Sequence, residues 1–371
     1  DPVCIREIAA WPLTIFRVVI AGDLCYNEKE AKVPAGAGSS WCTMERKSMR
    51  GTIRYTVICG SLILAVLSSG YKTGGQSITY AGEQVPAASA PQKEEEIIYL
   101  IGDDEVTEPE QSSGKRDSLI NPEGKTLEER FFTPEGYTRI PREMGSFQGY
   151  LRRYAMKPDQ SPVLLYDGSE KQNQSAHAAV FSMPVFEGDL QQCADSIIRI
   201  YSEYFWKMGD YDKIAFHLTN GFLMDYPAWK SGKRLVVDGN KTSWVSKSGS
   251  DDSYETFLKY LRTVMIYAGT LSLNEEAVPV NVSDIQAGDM FIKGGSPGHC
   301  VMVADVAQNR DGSRCFLLAQ GYMPAQEFQI IKNPLHGDDP WYYAAELNYP
   351  LVTPEYVFDE GSLKRWYGFG Y

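Results

Sequence analysis

Four residues of this chain have types and settings suited to nucleophilic chemistry: Cys193, Ser253, His299 and Gln320. His299 follows the loop Gly294-Gly-Ser-Pro-Gly298 and opens an apolar run that ends at Asp305. A second apolar run, Cys315 to Ala319, ends in Gln320. An imidazole and an amide at the ends of neighbouring strands make a base and a group to orient it, and such a pair needs a nucleophile. A thiol near a helix N-terminus and a His is drawn toward the thiolate. Cys193 stands four residues after Asp189, the expected cap of its helix. Ser253 stands just after Asp252, the expected cap of the next long helix. Each also has an ordinary reading, Cys193 as a small apolar residue on a helix stripe and Ser253 as a first-turn serine.

The remaining candidates are weaker. His177 and His217 fall inside expected strands, and His336 lies in a loop with Gly337-Asp-Asp-Pro340. Cys300 and Cys315 read as packing residues, with a disulfide between them as an alternative. Asp289 and Asp305 read as turn or strand-end residues. The adjacent pairs Glu275-Glu276 and Asp251-Asp252 need not share a face for acid–base work.

The elements that position these groups follow from periodicity. Leu190, Cys193, Ala194, Ile197, Ile198, Tyr201, Tyr204 and Phe205 form a stripe at helical spacing, predicting a helix from Asp189 to about Met208. Asp252 with Glu255 resembles a capping box for a helix to about Ala268, with Gly269 as its C-cap. Residues 144–151 predict a short helix. Strands are expected at 163–166, 177–185, 214–218, 289–292, 299–305, 314–320 and 327–331. The turn Asp238-Gly239-Asn240 predicts a hairpin between 235–237 and 243–245. The fold class expected is α+β, with a mainly antiparallel sheet and packed helices in one domain over 126–371.

Upstream the pattern changes. A basic flank after Met44, the apolar run Tyr55–Leu67 and small residues to Gly70 have the layout of a signal peptide, with a membrane anchor as the alternative. Residues 1–43 are then a mis-extended start, and 71–125, rich in Gly, Ser, Ala, Pro, Gln and Glu, a disordered linker in which only Ile97–Ile101 has the makings of order. The expected location is the periplasm or cell envelope. A net charge of −12 excludes a nucleic-acid partner that needs a basic footprint. Seven Cys and four His without ligand spacing predict no metal and no cofactor. The oligomeric state is not encoded in any pattern here.

Two resemblances join these readings. The stretches Tyr150-Leu-Arg152, Pro162-Val-Leu-Leu-Tyr166, Asp189-Leu-Gln-Gln-Cys-Ala-Asp195 and Thr219-Asn-Gly-Phe222 resemble the bacterial family called domain of unknown function 4846. Asp252-Ser-Tyr-Glu255, Tyr267–Leu273, Gly294–His299 and Leu318–Gln326 extend the likeness over about 147–366. It implies an exported protein and no settled activity. More distantly, 250–320 is similar to papain-like cell-wall amidohydrolases of the CHAP type, through a helix, Ala287-Gly-Asp-Met-Phe-Ile292 and His299-Cys-Val-Met-Val303. That likeness implies a papain-like core in which His299 is the base and Gln320 its orienting residue. The helix directly upstream offers Ser253 where those enzymes have Cys. Either the hydroxyl substitutes, Cys193 supplies the thiol, or the site lacks a nucleophile. The function expected is hydrolysis of cell-wall peptide or related amide bonds. The competing expectation is a non-catalytic envelope module whose Tyr and Trp residues bind glycan.

Overall fold

Side-chain caps set where the helices of the main body begin. In this computed structural model, which describes residues 41–48, 51–58, 118–143 and 145–369, the chain divides into units Asp1–Glu108 and Pro109–Tyr371. In the first unit Trp41–Ser48 and Gly51–Ile58 pair as an antiparallel hairpin. The rest of the expected start, export segment and linker up to residue 117, Ile97–Ile101 included, lies outside the described residues.

Folded sequence of the second unit begins before Thr126. Ile120 bridges Phe131, and the buried Arg130 side chain donates to the Gly124 carbonyl. Thr126 and Glu129 form a capping box on α1 (Leu127–Arg130), and Ser146 caps α2 (Phe147–Arg152). The long helices are α3 (Cys193–Met208) and α5 (Tyr254–Tyr267), with the short α4 (Tyr226–Lys230) and α6 (Thr270–Glu275) beside them.

Helix boundaries differ from the sequence expectation: the short helix expected at 144–151 runs from Phe147 to Arg152. Asp189 does not cap α3, because its carboxylate is taken by the Gln192 amide (3.0 Å) and the Ala325 N–H (2.7 Å). The helix starts at Cys193 instead, after Gln192, whose own N–H donates to Asp195. Ser253, not Asp252, caps α5 by accepting from the Thr256 N–H. Gly269 precedes α6 as its N-cap rather than closing α5, whose C-cap is Ala268.

One sheet of nine strands, all paired antiparallel, runs through the body. Its strands are β1 (Tyr137–Arg139), β2 (His177–Val180), β3 (Ala277–Pro279), β4 (Met290–Lys293), β5 (His299–Asn309), β6 (Arg314–Gln320), β7 (Gln329–Ile331), β8 (Tyr342–Tyr343) and β9 (Leu363–Trp366). The order is β2-β7-β6-β5-β4-β9-β3, with β1 paired to β5 and β8 to β6. Helices and a large antiparallel sheet make the body α+β. The expected strand at 163–166 reduces to isolated bridges, Leu164 with Glu170 and Leu165 with Gln326. The expected hairpin forms over Lys233–Asp238 and Lys241–Ser246.

Strand alternation divides β5 between two cores. Cys300, Met302 and Ala304 face the core that contains α3 and α5, whereas Val301 and Val303 face a smaller one with Phe291, Leu318 and Phe358. A bulge between Val303 and Asp305 breaks the alternation, so that Val306 again faces the smaller core and Asp305 turns away from it. Asp305 is fully buried between Arg139 (2.6 Å) and Arg152 (2.8 Å). Burial alone would raise its carboxyl, but the two guanidiniums outweigh it and hold the group below the usual range. This clamp ties α2 and β1 to the strand that His299 opens. A second buried carboxylate, Asp289, joins Arg365 (2.7 Å) to the start of β4.

Candidate active site

Cys193 is the first residue of α3, on the turn whose N–H groups have no partner within a helix. It is half-buried, and its thiol lies beside Cys300 and the His299 ring, both of which interact with it. The Cys300 hydrogen bond does most to hold Cys193 well below the ordinary thiol range. Burial opposes that, and the bond and charge of His299 and the Ala194 N–H add to it. Burial and the contact with Cys193 push Cys300 the other way, well above the ordinary range.

His299 is 3 % exposed. Its Nε2 lies 2.9 Å from Oε1 of Gln320, which ends the adjacent strand β6. A carbonyl oxygen only accepts, so Nε2 carries the hydrogen and the lone pair of the neutral ring is on Nδ1. Aromatic rings fix the imidazole in place: Tyr322 at 4.8 Å between centroids, Tyr356 at 4.9 Å and Phe358 at 5.9 Å. The chain thus brings Cys193, His299 and Gln320 together from one helix and two strands.

The approach of α3 to the sheet depends on a residue with no side chain. Gly321 follows Gln320 where a Cβ would lie 2.6 Å from Ser196 Oγ and 3.0 Å from the Gln192 carbonyl oxygen. Its role is closeness to the first turn of α3, since its backbone is not among the left-handed ones. Asp189 adds a tie between the same two segments through Gln192 and Ala325.

The structure places Ser253 elsewhere. Its oxygen caps α5 on an exposed stretch, and the adjacent Tyr254 donates to Glu203 (3.1 Å). Glu203 lies ten residues along α3 from Cys193, roughly 15 Å at the helical rise. The other histidines pair away from this site. His177 Nε2 meets the Ser161 carbonyl at 3.2 Å, His217 Nδ1 meets Glu276 at 2.7 Å and His336 meets Glu346 at 2.6 Å. Cys315 is fully buried on the larger core, and Cys193, Cys300 and Cys315 are free thiols.

Sequence reasoning missed the groups behind Gln320. Its Nε2 donates to Glu355 (2.7 Å), which also accepts from Lys171 and from Asn173 (3.1 Å). Glu355 lies in the turn of a small hairpin, Leu351–Val352 with Val357–Phe358. No motif or period marks it, because its connection to the site is purely spatial. A surface crevice lined by Gly136, Tyr137 and Gln308–Asp311 lies at the opposite end of β5 and gathers no such set. Among the described residues no group of His, Cys, Asp and Glu has the geometry to hold a metal ion, and no helix is long and apolar enough to cross a membrane.

Comparison with known proteins agrees with one of the resemblances. The family model described as domain of unknown function (4846) matches residues 127–365, and the chain belongs to that family. No curated protein and no solved structure matches it.

Proposed function

We propose that this family member is an exported envelope protein with a papain-like core that hydrolyses cell-wall peptide or related amide bonds, with Cys193 as nucleophile, His299 as base and Gln320 as its orienting partner. One observation carries the reading: the thiol on the first residue of α3 lies beside an imidazole whose Nε2 is held by an amide oxygen 2.9 Å away. Cysteine acyl transfer needs this arrangement of thiolate, base and orienting group. In the first step the Cys193 thiol gives its proton to His299 Nδ1, its sulfur bonds to the amide carbon, and the carbonyl electron pair moves to oxygen. N–H groups of the first turn of α3 would stabilise the oxyanion. The C–N bond then breaks as His299 Nδ1 gives its proton to the leaving amine. Water attacks the thioester with His299 taking a proton, which releases the carboxylic acid and restores the thiol. Cys193 rather than Ser253 takes the nucleophile's role because the thiol has the base and the serine oxygen has a cap.

The test is incubation of the purified protein with peptidoglycan beside Cys193→Ala and His299→Ala variants, following newly released amino groups. Release by the parent and neither variant is expected. Equal release by all three, or none by any while the protein still binds the polymer, would replace the hydrolase with an envelope-binding module.

A further inference from the structure

We propose that Glu355 is the positioning residue of this site: it dictates which way the Gln320 amide faces, and through it which nitrogen of His299 meets the Cys193 thiol. The inference rests on the Cys193–His299 pairing of the amidohydrolase reading.

Three donors converge on the two oxygens of Glu355: the Lys171 ammonium, Asn173 Nδ2 at 3.1 Å and Gln320 Nε2 at 2.7 Å. A carboxylate held by the Lys171 ammonium acts as a pure acceptor. The end of the Gln320 amide against it must then be the NH2, which turns the carbonyl toward His299, where it lies 2.9 Å from Nε2. That carbonyl in turn requires a hydrogen on Nε2, and a neutral ring with its hydrogen there has its lone pair on Nδ1. The inverted amide would set two oxygens against each other at the Glu355 end. It would also offer an N–H to Nε2, moving the ring hydrogen to Nδ1 and leaving no base toward the sulfur. An amide by itself has no preference between these orientations, so the carboxylate makes the choice.

Glu355 also steadies the ring from a second direction. Its backbone carbonyl accepts from the Tyr322 hydroxyl at 3.2 Å, and Tyr322 packs against the imidazole. Lys171 lies over the same Tyr322 ring, 5.7 Å from its centroid. The side chain of Lys171 is only 7 % exposed and that of Glu355 10 %, so water competes weakly for these bonds. The titratable groups around the pair are Cys300 from β5, Tyr322 from the loop after β6, Tyr356 and Glu355 from the hairpin, and Asp195 from α3.

The experiment reads Cys193 alkylation by iodoacetamide from pH 5 to 9, site by site through peptide mass spectrometry. The proteins are the parent, Glu355→Gln, the apolar pair Glu355→Leu with Lys171→Leu, and His299→Ala. The apolar pair guards against an unfolded single variant, because removing both partners of a buried pair is better tolerated than removing one. Both Glu355 variants are expected to slow alkylation near pH 6 by about 10- to 100-fold, the scale on which partners behind a ligating histidine act. Their rate should rise only toward the pH at which an ordinary thiol ionises. In a Cys193→Ala background, 15N NMR should find the neutral His299 ring with its hydrogen on Nε2, and on both nitrogens in exchange once Glu355 is replaced. Folded Glu355 variants with the parent's rate and pH profile would overturn the proposal, as would an Nδ1-protonated ring with Glu355 intact. A His299→Ala profile identical to the parent's would instead overturn the underlying Cys193–His299 pairing.

Discussion

Replacing Gly321 by Ala should pull the nucleophile away from its base without touching either. The new Cβ would lie 3.0 Å from the Gln192 carbonyl oxygen and 2.6 Å from Ser196 Oγ, whereas ordinary contacts begin at 3.4 Å. The carbonyl must therefore retreat by about 0.4 Å (3.4 − 3.0) and the hydroxyl by about 0.8 Å (3.4 − 2.6). Rotation of Ser196 can clear the hydroxyl. The carbonyl cannot rotate, since it accepts the first bond of α3 from the Ser196 N–H at 3.1 Å. The first turn of α3, with Cys193 on it, moves off the end of β6. Misplacement of a reacting group by 1 Å costs about 100-fold, so a shift of this size should slow Cys193 alkylation by roughly tenfold near pH 7. Overpacking should also cost about 1–3 kcal/mol of stability. The assay is alkylation at Cys193, with circular dichroism melting to confirm that the protein is folded. Adding Ser196→Gly removes the side-chain obstacle but leaves the carbonyl, and should restore the rate only in part. A folded Gly321→Ala protein that alkylates within twofold of the parent would refute the claim that this approach sets the site.

Other outcomes follow from the same geometry. Because Cys193 is held well below the ordinary thiol range, its alkylation should persist below pH 8.5, the unperturbed thiol value being about 8.5; a parent profile with its midpoint there would contradict the described contacts. Ser253→Ala should cost about 1 kcal/mol by loss of a cap and leave peptidoglycan release unchanged, whereas abolished release in a folded variant would return the hydroxyl to candidacy. Asp305→Asn strands Arg139 and Arg152 and should cost about 3–5 kcal/mol in urea unfolding. The Asp305 carboxyl is depressed on folding, so its contribution is complete above the unfolded value near 3.9 and is lost as pH falls through the folded one. The difference between parent and variant should accordingly shrink in acid, and a difference independent of pH would count against the clamp.

What the sequence revealed and what it hid divide along physical lines. Strand β6 matches its expected range, 314–320, because an apolar run bounded by a turn and an amide is a local signal. The stripe on α3 was visible for the same reason. Where that helix begins was not, since Asp189 is drawn to Ala325, 136 residues away, a partner no local rule reveals. That shift moved Cys193 from inside the helix to its first residue, which is the difference between a packing thiol and one at a helix N-terminus. His299 and Gln320 were legible as strand ends. Glu355 and Lys171 were not, because their connection to Gln320 exists only across the fold. The bulge that turns Asp305 onto two arginines was equally hidden, and Asp305 read as a strand-end residue.

Trp366 gives the body a practical boundary. Its indole is fully buried and stacks on Tyr201 of α3 with centroids 5.0 Å apart and planes 4° apart. The opposite contact is with Phe216, at 4.8 Å and 9°, and its N–H reaches Glu276. The matched family region ends at residue 365, one position short of this ring. A chain trimmed to that border would keep every group named in the chemistry and still lose the wedge that seats α3. Soluble aggregates or an inert thiol from such a trimmed protein would then report a missing wedge, with no bearing on whether Cys193 can react.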